Sequence, residues 1–305
     1  MSFSAELKKE LCALPLDPCC AFAECYALVL FGRRFDGGEI TLQTESGAVA
    51  QTAATLLATQ IGVFAEVRTP LTQRGRGKVS TVSIDESQRA QALQSFGHSE
   101  TEVRRTANFA NMQNECCAIA FLRGAFLACG TVNDPERGYH LEFDAPGRRL
   151  ADALELLLTQ LTRLHPGRTE RKGAQVIYMK SGEDIAAFLA LLGAKKSAQQ
   201  VQQVRQRKER RNDANRRTNF DTANIDKTVS AAASQIEAIL KVKNSSEWGL
   251  LPEPLRELAE LRLAHPEYSL RELGDALSVP VSRSGVNHRL TKLTELAQQQ
   301  ALQKK

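Results

Sequence analysis

Long apolar runs are what this sequence lacks most clearly. Stretches such as IAAFLALLGA (185–194) are too short to cross a bilayer. The N-terminal segment MSFSAELKKELCAL has no uninterrupted apolar block and no cleavage site, so it does not resemble a signal peptide. We therefore expect a cytoplasmic protein with no membrane partner. The chain has 305 residues, 42% of them hydrophobic and 25% charged, enough for two or three ordinary domains.

The cysteines lack the C-x-x-C spacing of a zinc site. Four of the seven form vicinal pairs, Cys19–Cys20 and Cys116–Cys117, which do not suit an ordinary disulfide either. No histidine lies close to either pair in the sequence. Because free cysteine behaves mainly as a small hydrophobic residue, the pattern favours buried structural thiols over metal ligands. We expect no metal and no cofactor.

Positive charge is modest and concentrated in one segment. The formal net charge is +5, and the stretch RQRKERRNDANRR (205–217) holds seven Arg and Lys residues against one Glu and one Asp. Such a segment can be a solvated helical face, or it can contact the phosphates of a nucleic acid.

Two copies of one unit follow each other in the chain. Each copy has an apolar segment ending in glycine, an alternating strand, a helical run, a hairpin and a closing helix. The apolar segments are ECYALVLFG (24–32) and LRGAFLACG (122–130), and the alternating strands are EITLQTE (39–45) and YHLEF (139–143). The spacing from Gly32 to Gly97 nearly equals that from Gly130 to Gly193. The match predicts a duplicated α-β-β-α-β-β-α unit.

The two apolar segments resemble the LAGLIDADG motif of homing endonucleases. LRGAFLACG matches it at Leu122, Gly124, Ala128 and Gly130, whereas ECYALVLFG matches only in outline, with Tyr26 and Leu30 at positions of small residues. The resemblance implies two helices packed side by side about a pseudo-twofold axis, with looser packing from the first copy. Without the downstream repeat, two unrelated core helices with glycine caps would explain the segments as well.

The positions of the nuclease carboxylates are occupied by other residues. The resemblance implies an acidic residue just before the final glycine of each motif, and those positions are Phe31 and Cys129. Phenylalanine cannot bind a metal, and a thiol is a poor ligand for Mg²⁺. Asp134 and Glu136 follow in a loop, but one loop cannot replace both halves of a twofold site. We therefore predict that the protein is not an enzyme.

The predicted outer face of the sheets is mainly acidic, which disfavours contact with phosphates. Its residues are Glu39, Thr41, Gln43, Glu45, His140, Glu142 and Asp144. Basic residues in the later hairpins leave partial DNA contact open: Arg68, Arg74, Arg76, Lys78, Arg171, Lys172 and Lys180.

The segment after Trp248 is typical of three short helices. Ser269 and Glu272 form the pattern of a capping box, and Ser282 can cap a last helix whose apolar stripe begins at Val286. The opposite face of that helix carries polar side chains of the kind that a helix-turn-helix inserts into the major groove. The predicted DNA-binding residues are Ser269, Arg283, Ser284, Asn287, His288, Arg289 and Lys292, in a helix-turn-helix of about 269–302, with basic-segment contacts from Arg207, Lys208, Arg210, Arg211, Arg216 and Arg217. A small three-helix interaction domain is the alternative, and His288 can instead be half-buried against the preceding turn.

The combination resembles the bacterial WhiA family along essentially the whole chain. The resemblance is carried by MSFSAELKKELC, FLRGAFLACGTVNDPERGYHLEF, NDANRRTNFDTANIDKTVSAAASQI and HPEYSLRELGDALSVPVSRSGVNHRLTKL. It implies an α+β fold, a duplicated LAGLIDADG-like domain followed by an all-α helix-turn-helix domain. We expect repeats at 1–100 and 101–196, a basic Asn/Arg-rich helical linker at 197–248, and the helix-turn-helix domain at 249–305.

The same resemblance implies a function. Members of the WhiA family are DNA-binding proteins of cell division and chromosome segregation, and in sporulating actinomycetes they are developmental transcription regulators. We expect double-stranded DNA as the partner, association with the nucleoid, and a regulatory protein partner that is WhiB-like in actinomycete relatives. The alternatives are a nucleoid-associated scaffold whose LAGLIDADG-like domain binds a protein, and an active endonuclease, which the absent carboxylates disfavour.

Overall fold

The chain divides into two compact units, Met1–Glu209 and Arg210–Lys305. The computed structural model describes residues 2–69, 79–102, 104–162, 164–171 and 173–303. Within these ranges, no helix is both long and apolar enough to cross a bilayer. The division at residue 249 that the sequence suggests stays a prediction.

The first unit is a mixed α/β structure. Its described elements are, in chain order, α1 (Phe3–Cys12), α2 (Pro18–Leu30), β1 (Arg34–Phe35), β2 (Ile40–Thr44), α3 (Gly47–Ile61), β3 (Ala65–Arg68), β4 (Ser80–Ile84), α4 (Glu86–Ser95), α5 (Glu115–Cys129), β5 (Gly130–Val132), β6 (Leu141–Ala145), α6 (Arg148–Thr162), β7 (Gly167–Arg171), β8 (Ala174–Met179), α7 (Gly182–Leu191) and the first part of α8 (Lys195–Lys243).

The predicted duplication is confirmed by the sheet topology. Two four-stranded antiparallel sheets have the same order, β1-β2-β4-β3 and β5-β6-β8-β7. The elements from α2 to α4, and again from α5 to α7, follow the order α-β-β-α-β-β-α. Alternation located β2 and β6, whereas β1 and β5, with two and three residues, are too short to give an alternating pattern.

Several predicted strand positions differ in the structure, and Glu39, Glu45 and His140 lie just outside β2 and β6. Thr41, which alternation assigns to the outer face, is buried instead of exposed. It pairs with Arg34 on one side and Ser83 on the other, and directly opposed side chains share a face of the sheet, so its short side chain is covered by its neighbours. Alternation also predicts that Tyr139 points inward from a strand, but β6 begins after it.

The acidic outer face is partly neutralised by nearby basic side chains. Glu39 lies 3.6 Å from Arg34, and Glu142 lies 3.6 Å from Arg171. Glu142 is also within hydrogen-bond distance of the His140 ring, at 3.0 Å. Several basic residues predicted in the hairpins lie outside the described residues, as does the turn QRGRG: Arg74, Arg76, Lys78 and Lys172.

The second unit is all α. In its described residues the last part of α8 packs with α9 (Glu253–Ala264), α10 (Leu270–Ala276) and α11 (Arg283–Gln303). The predicted apolar stripe of α11 is buried, and α8 adds side chains that the sequence did not assign to this core. The core includes Ala238, Ile239, Val242, Leu258, Leu273, Leu277, Val286, Leu290, Leu293 and Ala297.

Helices α2 and α5 pack closely at the centre of the first unit. A Cβ added to Gly124 would lie 2.4 Å from the carbonyl oxygen of Glu24 and 2.8 Å from the Cβ of Ala27. Only glycine permits this approach, because no side-chain rotation can move a backbone oxygen. The looser packing expected from Tyr26 and Leu30 is therefore wrong, since the close contact with Gly124 is made at Glu24 and Ala27 instead.

A buried ion pair crosses the same interface. The Nε of Arg123 donates to Oε2 of Glu24 at 2.5 Å, and both side chains are less than a tenth exposed. Another guanidinium nitrogen of Arg123 donates to the carbonyl oxygen of Leu192 at 3.4 Å. A paired charge of this kind becomes costly when one partner is removed.

Replacing Arg123 with Met should lower the free energy of unfolding by about 3–5 kcal/mol near neutral pH, because Glu24 would stay buried without its counter-charge. Burial already raises the pKa of Glu24, and Arg123 opposes that rise. In the variant the folded state prefers the protonated carboxyl, so the loss should shrink as pH falls toward the ordinary pKa of glutamate. Denaturant unfolding at about pH 8 and about pH 5 measures both effects.

The double variant Glu24→Met, Arg123→Met is the control. It should recover most of the lost stability and unfold with a weaker pH dependence, because neither charge remains. A single variant whose loss is independent of pH would contradict the role given to the ion pair.

Candidate nucleic-acid interface

A capping box begins α10, as the sequence predicted. The backbone N–H of Glu272 donates to the Ser269 hydroxyl at 3.3 Å, and the backbone N–H of Ser269 donates to the Glu272 carboxylate at 2.7 Å. The box satisfies two N–H groups that the first turn of a helix otherwise leaves without partners. The box fixes the start of α10, which has only seven residues.

The turn between α10 and α11 is held by close backbone contact. The N–H of Val281 donates to the carbonyl oxygen of Gly274 at 3.1 Å, and a Cβ on Gly274 would lie 2.2 Å from the carbonyl oxygen of Val281. The carboxylate of Glu257 accepts the backbone N–H of Ser278 at 2.6 Å and its hydroxyl at 3.0 Å. These bonds set the angle at which α11 leaves the turn.

The outer face of α11 is polar over its first turns. Ser282 caps this helix by accepting the N–H of Gly285 at 3.3 Å. The predicted residues Arg283, Ser284, Asn287, His288 and Lys292 are exposed, Ser269 is exposed at the start of α10, and Arg289 is partly buried. The alternative of a half-buried His288 is therefore wrong. Three of the predicted residues, Ser269, Arg283 and Asn287, line one cleft.

A cleft of about 640 Å³ opens beside this face and has a wall that the sequence did not predict. Its lining includes Asn287 and Arg283 from α11, Arg271 from α10, and Lys227 and Gln235 from α8. Sequence patterns could not place α8 here, because this wall depends on contacts distant in the chain. This wall adds Lys227 and Gln235 beside the predicted base-reading residues.

Arg262 also lines this cleft and was not singled out from the sequence. It is 2% exposed in the cleft floor, and it donates to the carbonyl oxygen of Tyr268 at 2.6 Å. Burial lowers the pKa of its guanidinium. Its Nε and the Oε1 of Gln235 have no hydrogen-bond partner within the described chain. The sequence did contain a signal for this residue, because Arg262 is a charged residue that continues the apolar stripe of Leu258 and Ala259 along α9.

The basic segment divides into two groups of side chains. Arg207 is ion-paired with Glu136, and Lys208 donates to the carbonyl oxygen of Pro135 at 2.7 Å and lies over the ring of Tyr139. Both belong to the first unit and have protein partners there. The other four predicted contacts are exposed on α8 in the second unit: Arg210, Arg211, Arg216 and Arg217.

Phe31 and Cys129, at the positions of the nuclease carboxylates, are unsuited to binding a metal. Phe31 is buried, with its ring packed edge-on against Phe121 at 5.7 Å. Burial raises the pKa of the Cys129 thiol to about 12, which keeps it protonated, and the positive charge of nearby Lys8 only partly opposes this rise. The ammonium of Lys8 donates to the carbonyl oxygen of Leu127 at 3.0 Å. A cation at this end of the helix pair disfavours a divalent metal.

The two loop carboxylates have other roles. Asp134 accepts the backbone N–H of Glu136 at 2.9 Å in a turn, and Glu136 binds Arg207.

An arginine-lined cleft of about 800 Å³ lies elsewhere in the first unit, and its arginines are Arg33, Arg34, Arg104, Arg105, Arg148 and Arg149. Arg105 itself donates to the carbonyl oxygens of Gly32 and Arg33. The prediction that basic residues of the first unit make partial contact with DNA stays a prediction.

Comparison with known proteins shows the family. Two family models match the chain, the WhiA LAGLIDADG-like domain over residues 118–211 and the WhiA C-terminal HTH domain over 214–297. A protein from Alkaliphilus oremlandii is 38% identical over 312 residues, covering 97% of each chain. One from Desulfitobacterium hafniense is 39% identical over 314 residues, covering 98% of this chain and 96% of the relative. The chain belongs to the WhiA family.

Both WhiA relatives carry the name "Probable cell division protein WhiA". The crystal structure of full-length DUF199/WhiA from Thermatoga maritima matches 98% of this chain and 99% of its own, with 24% identity and a TM-score of 0.59. This likeness shows the WhiA fold, with a LAGLIDADG-like domain followed by a helical HTH region. The second compact unit and the WhiA HTH model both begin within α8, at residues 210 and 214.

Proposed function

We propose that this WhiA-family chain is a sequence-specific DNA-binding protein without nuclease activity, which acts in cell division and chromosome segregation as a nucleoid-associated transcription regulator. The observation that carries the proposal is the exposed polar face at the start of α11, held in place by a buried stripe and a closely packed turn. The name shared by the relatives supports the role in cell division.

The side chains of α11 suit the reading of base edges. Arginine donates two bonds to guanine, and asparagine exchanges two bonds with adenine, in the major groove. Arg283 and Asn287 are one turn apart and line the same cleft. We assign Ser284 and His288, in the first turns of α11, to the groove as well. We assign the exposed hydroxyl of Ser269 and the ammonium of Lys292 to phosphates, which orient the protein but do not distinguish sequences.

The exposed arginines of α8 add sequence-independent affinity. Arg210, Arg211, Arg216 and Arg217 lie on a segment in which every residue from 209 to 231 is exposed. Each phosphate that they neutralise releases condensed counterions, so the binding constant depends more steeply on salt. We assign these four arginines to phosphate contacts, and we leave out Arg207 and Lys208 because they already have protein partners.

A scaffold whose LAGLIDADG-like domain binds a regulatory protein is the second candidate function. The exposed carboxylate of Asp144 offers negative charge to a basic partner. DNA binding that resides in the second unit but shows no sequence preference would favour this candidate over the regulator.

Asn287→Ala should weaken binding to a selected genomic site while sparing random duplex. Removing the base-edge bonds of this side chain should cost about 1–3 kcal/mol of discrimination, because such bonds are directional. Lys292→Ala is the matched control on the same helix face, and it should weaken both duplexes equally. Binding isotherms on both duplexes at one salt concentration give the specific-to-random ratio. If Asn287→Ala folds normally and leaves that ratio unchanged, α11 does not read the sequence at this position.

Neutralising the four exposed arginines of α8 should flatten the salt dependence of binding. Changing Arg210, Arg211, Arg216 and Arg217 to Gln should reduce the slope of log K against log salt by about 0.9 for each phosphate that is no longer neutralised. Arg207→Gln is the control and should leave the slope unchanged, because Arg207 binds Glu136. An unaltered slope in the fourfold variant would make this part of α8 structural.

Purified protein should not cleave plasmid DNA in magnesium or manganese. The reason is that Phe31 and Cys129 provide no carboxylate at either end of the helix pair. Supercoiled plasmid should remain supercoiled during incubation with excess protein. Cleavage that is abolished in Asp134→Ala or Glu136→Ala would show that the loop carboxylates form a metal site after all.

A further inference from the structure

Two vicinal cysteine pairs occupy equivalent places in the duplicated unit. Cys19 and Cys20 are the second and third residues of α2, and Cys116 and Cys117 are the second and third residues of α5. Because α2 and α5 pack side by side, their first turns bring the two pairs together. The expectation of buried thiols is wrong for half of them, since Cys20 and Cys117 are buried but Cys19 and Cys116 are exposed.

The four sulfur atoms form one compact group. All of them lie within 4.8 Å of one another, and the Sγ atoms of Cys19 and Cys20 are 4.0 Å apart. In a tetrahedral site with Zn–S bonds of about 2.3 Å, the sulfur atoms are about 3.8 Å apart. The group therefore needs to contract by at most about 1 Å to surround a single ion.

We propose that Cys19, Cys20, Cys116 and Cys117 together bind one zinc ion that joins the first turns of α2 and α5. Four thiolates are the ligand set of closed structural zinc sites. The two buried sulfurs face the protein, whereas the two exposed ones give the ion a route of entry.

Burial raises the pKa of the Cys20 thiol to about 12, so binding of the ion must displace its proton. All four cysteines lie in the first turns of two helices, where backbone N–H groups and the helix dipoles stabilise the negative charge of metal-bound thiolates. The N-cap residues Asp17 and Asn114 make no side-chain capping bond among the described residues, although the N–H of Cys117 donates to the carbonyl oxygen of Asn114 at 3.0 Å. The side-chain amide of Asn114 donates to the Sγ of Cys117 at 4.0 Å, as an outer partner of a ligand does.

The geometry distinguishes a single ion from the other uses of four cysteines. In a multi-iron cluster the cysteines ligate different irons, which places their sulfur atoms further apart than a mononuclear site does. Soft thiolates disfavour magnesium and calcium, and zinc binds such sites more tightly than ferrous iron does. Disulfide formation would instead consume the thiols in pairs and leave no metal ligand.

Metal analysis of the full-length protein tests the proposal. Protein purified under reducing conditions, incubated with zinc sulfate and desalted, should hold about one zinc per chain. The variant Cys19→Ser, Cys116→Ser should hold at least tenfold less, because serine oxygen is a poor zinc ligand. These two positions are exposed, so the changes spare the core. Cys12→Ser is the matched control, since Cys12 lies outside the group, and it should keep the zinc.

Cobalt provides a readout of the ligands that does not depend on how the variants fold. The wild-type protein titrated with Co²⁺ should develop the charge-transfer and visible absorption of a tetrahedral thiolate site, and zinc should abolish both. Wild-type protein that holds less than about 0.2 zinc per chain after this treatment would overturn the proposal, as would equal zinc in the double variant. Iron in place of zinc, or a mass showing that the four thiols are oxidised in the reduced preparation, would overturn it as well.

Discussion

The close approach of α2 and α5 is the constraint on which the first unit depends. Gly124 lies against the backbone of Glu24, and this contact determines which other side chains of α2 and α5 lie next to each other. It places Arg123 within bonding distance of Glu24 in the core, and it brings the two cysteine pairs together in the first turns. One small residue thus determines both a buried charge pair and a group of four thiols that are far apart in sequence.

Much of this architecture could be predicted from local patterns. Alternation and glycine spacing located the principal strands and helices of both copies, because a half-buried strand repeats every two residues and a helix buries one stripe. The predictions failed where neighbours decide burial. Thr41 looks outward by alternation, but its cross-strand partners cover it, and β1 and β5 are too short to carry any pattern. Pairing across a sheet is a long-range property.

The candidate interface divides in the same way. The stripe beginning at Val286 identified the outer face of α11 because both faces belong to one helix. The wall formed by Lys227 and Gln235 depends on how α8 packs in the second unit, and no local pattern contains that information. The prediction of buried structural thiols failed for the same reason. The usual zinc signature is a spacing within one segment, whereas here each of two helices supplies two adjacent thiols.

The partners of charged residues explain why DNA contact is assigned to the second unit. In the first unit, Arg105 binds two backbone carbonyl oxygens, Arg207 binds Glu136, and Lys8 lies at the end of the helix pair where a nuclease would need carboxylates. These cations are committed to holding the fold. In α11 the apolar stripe and the closely packed turn before it hold the helix, which leaves its polar face exposed. Side chains that do not stabilise the fold are the ones that can direct their hydrogen bonds to base edges.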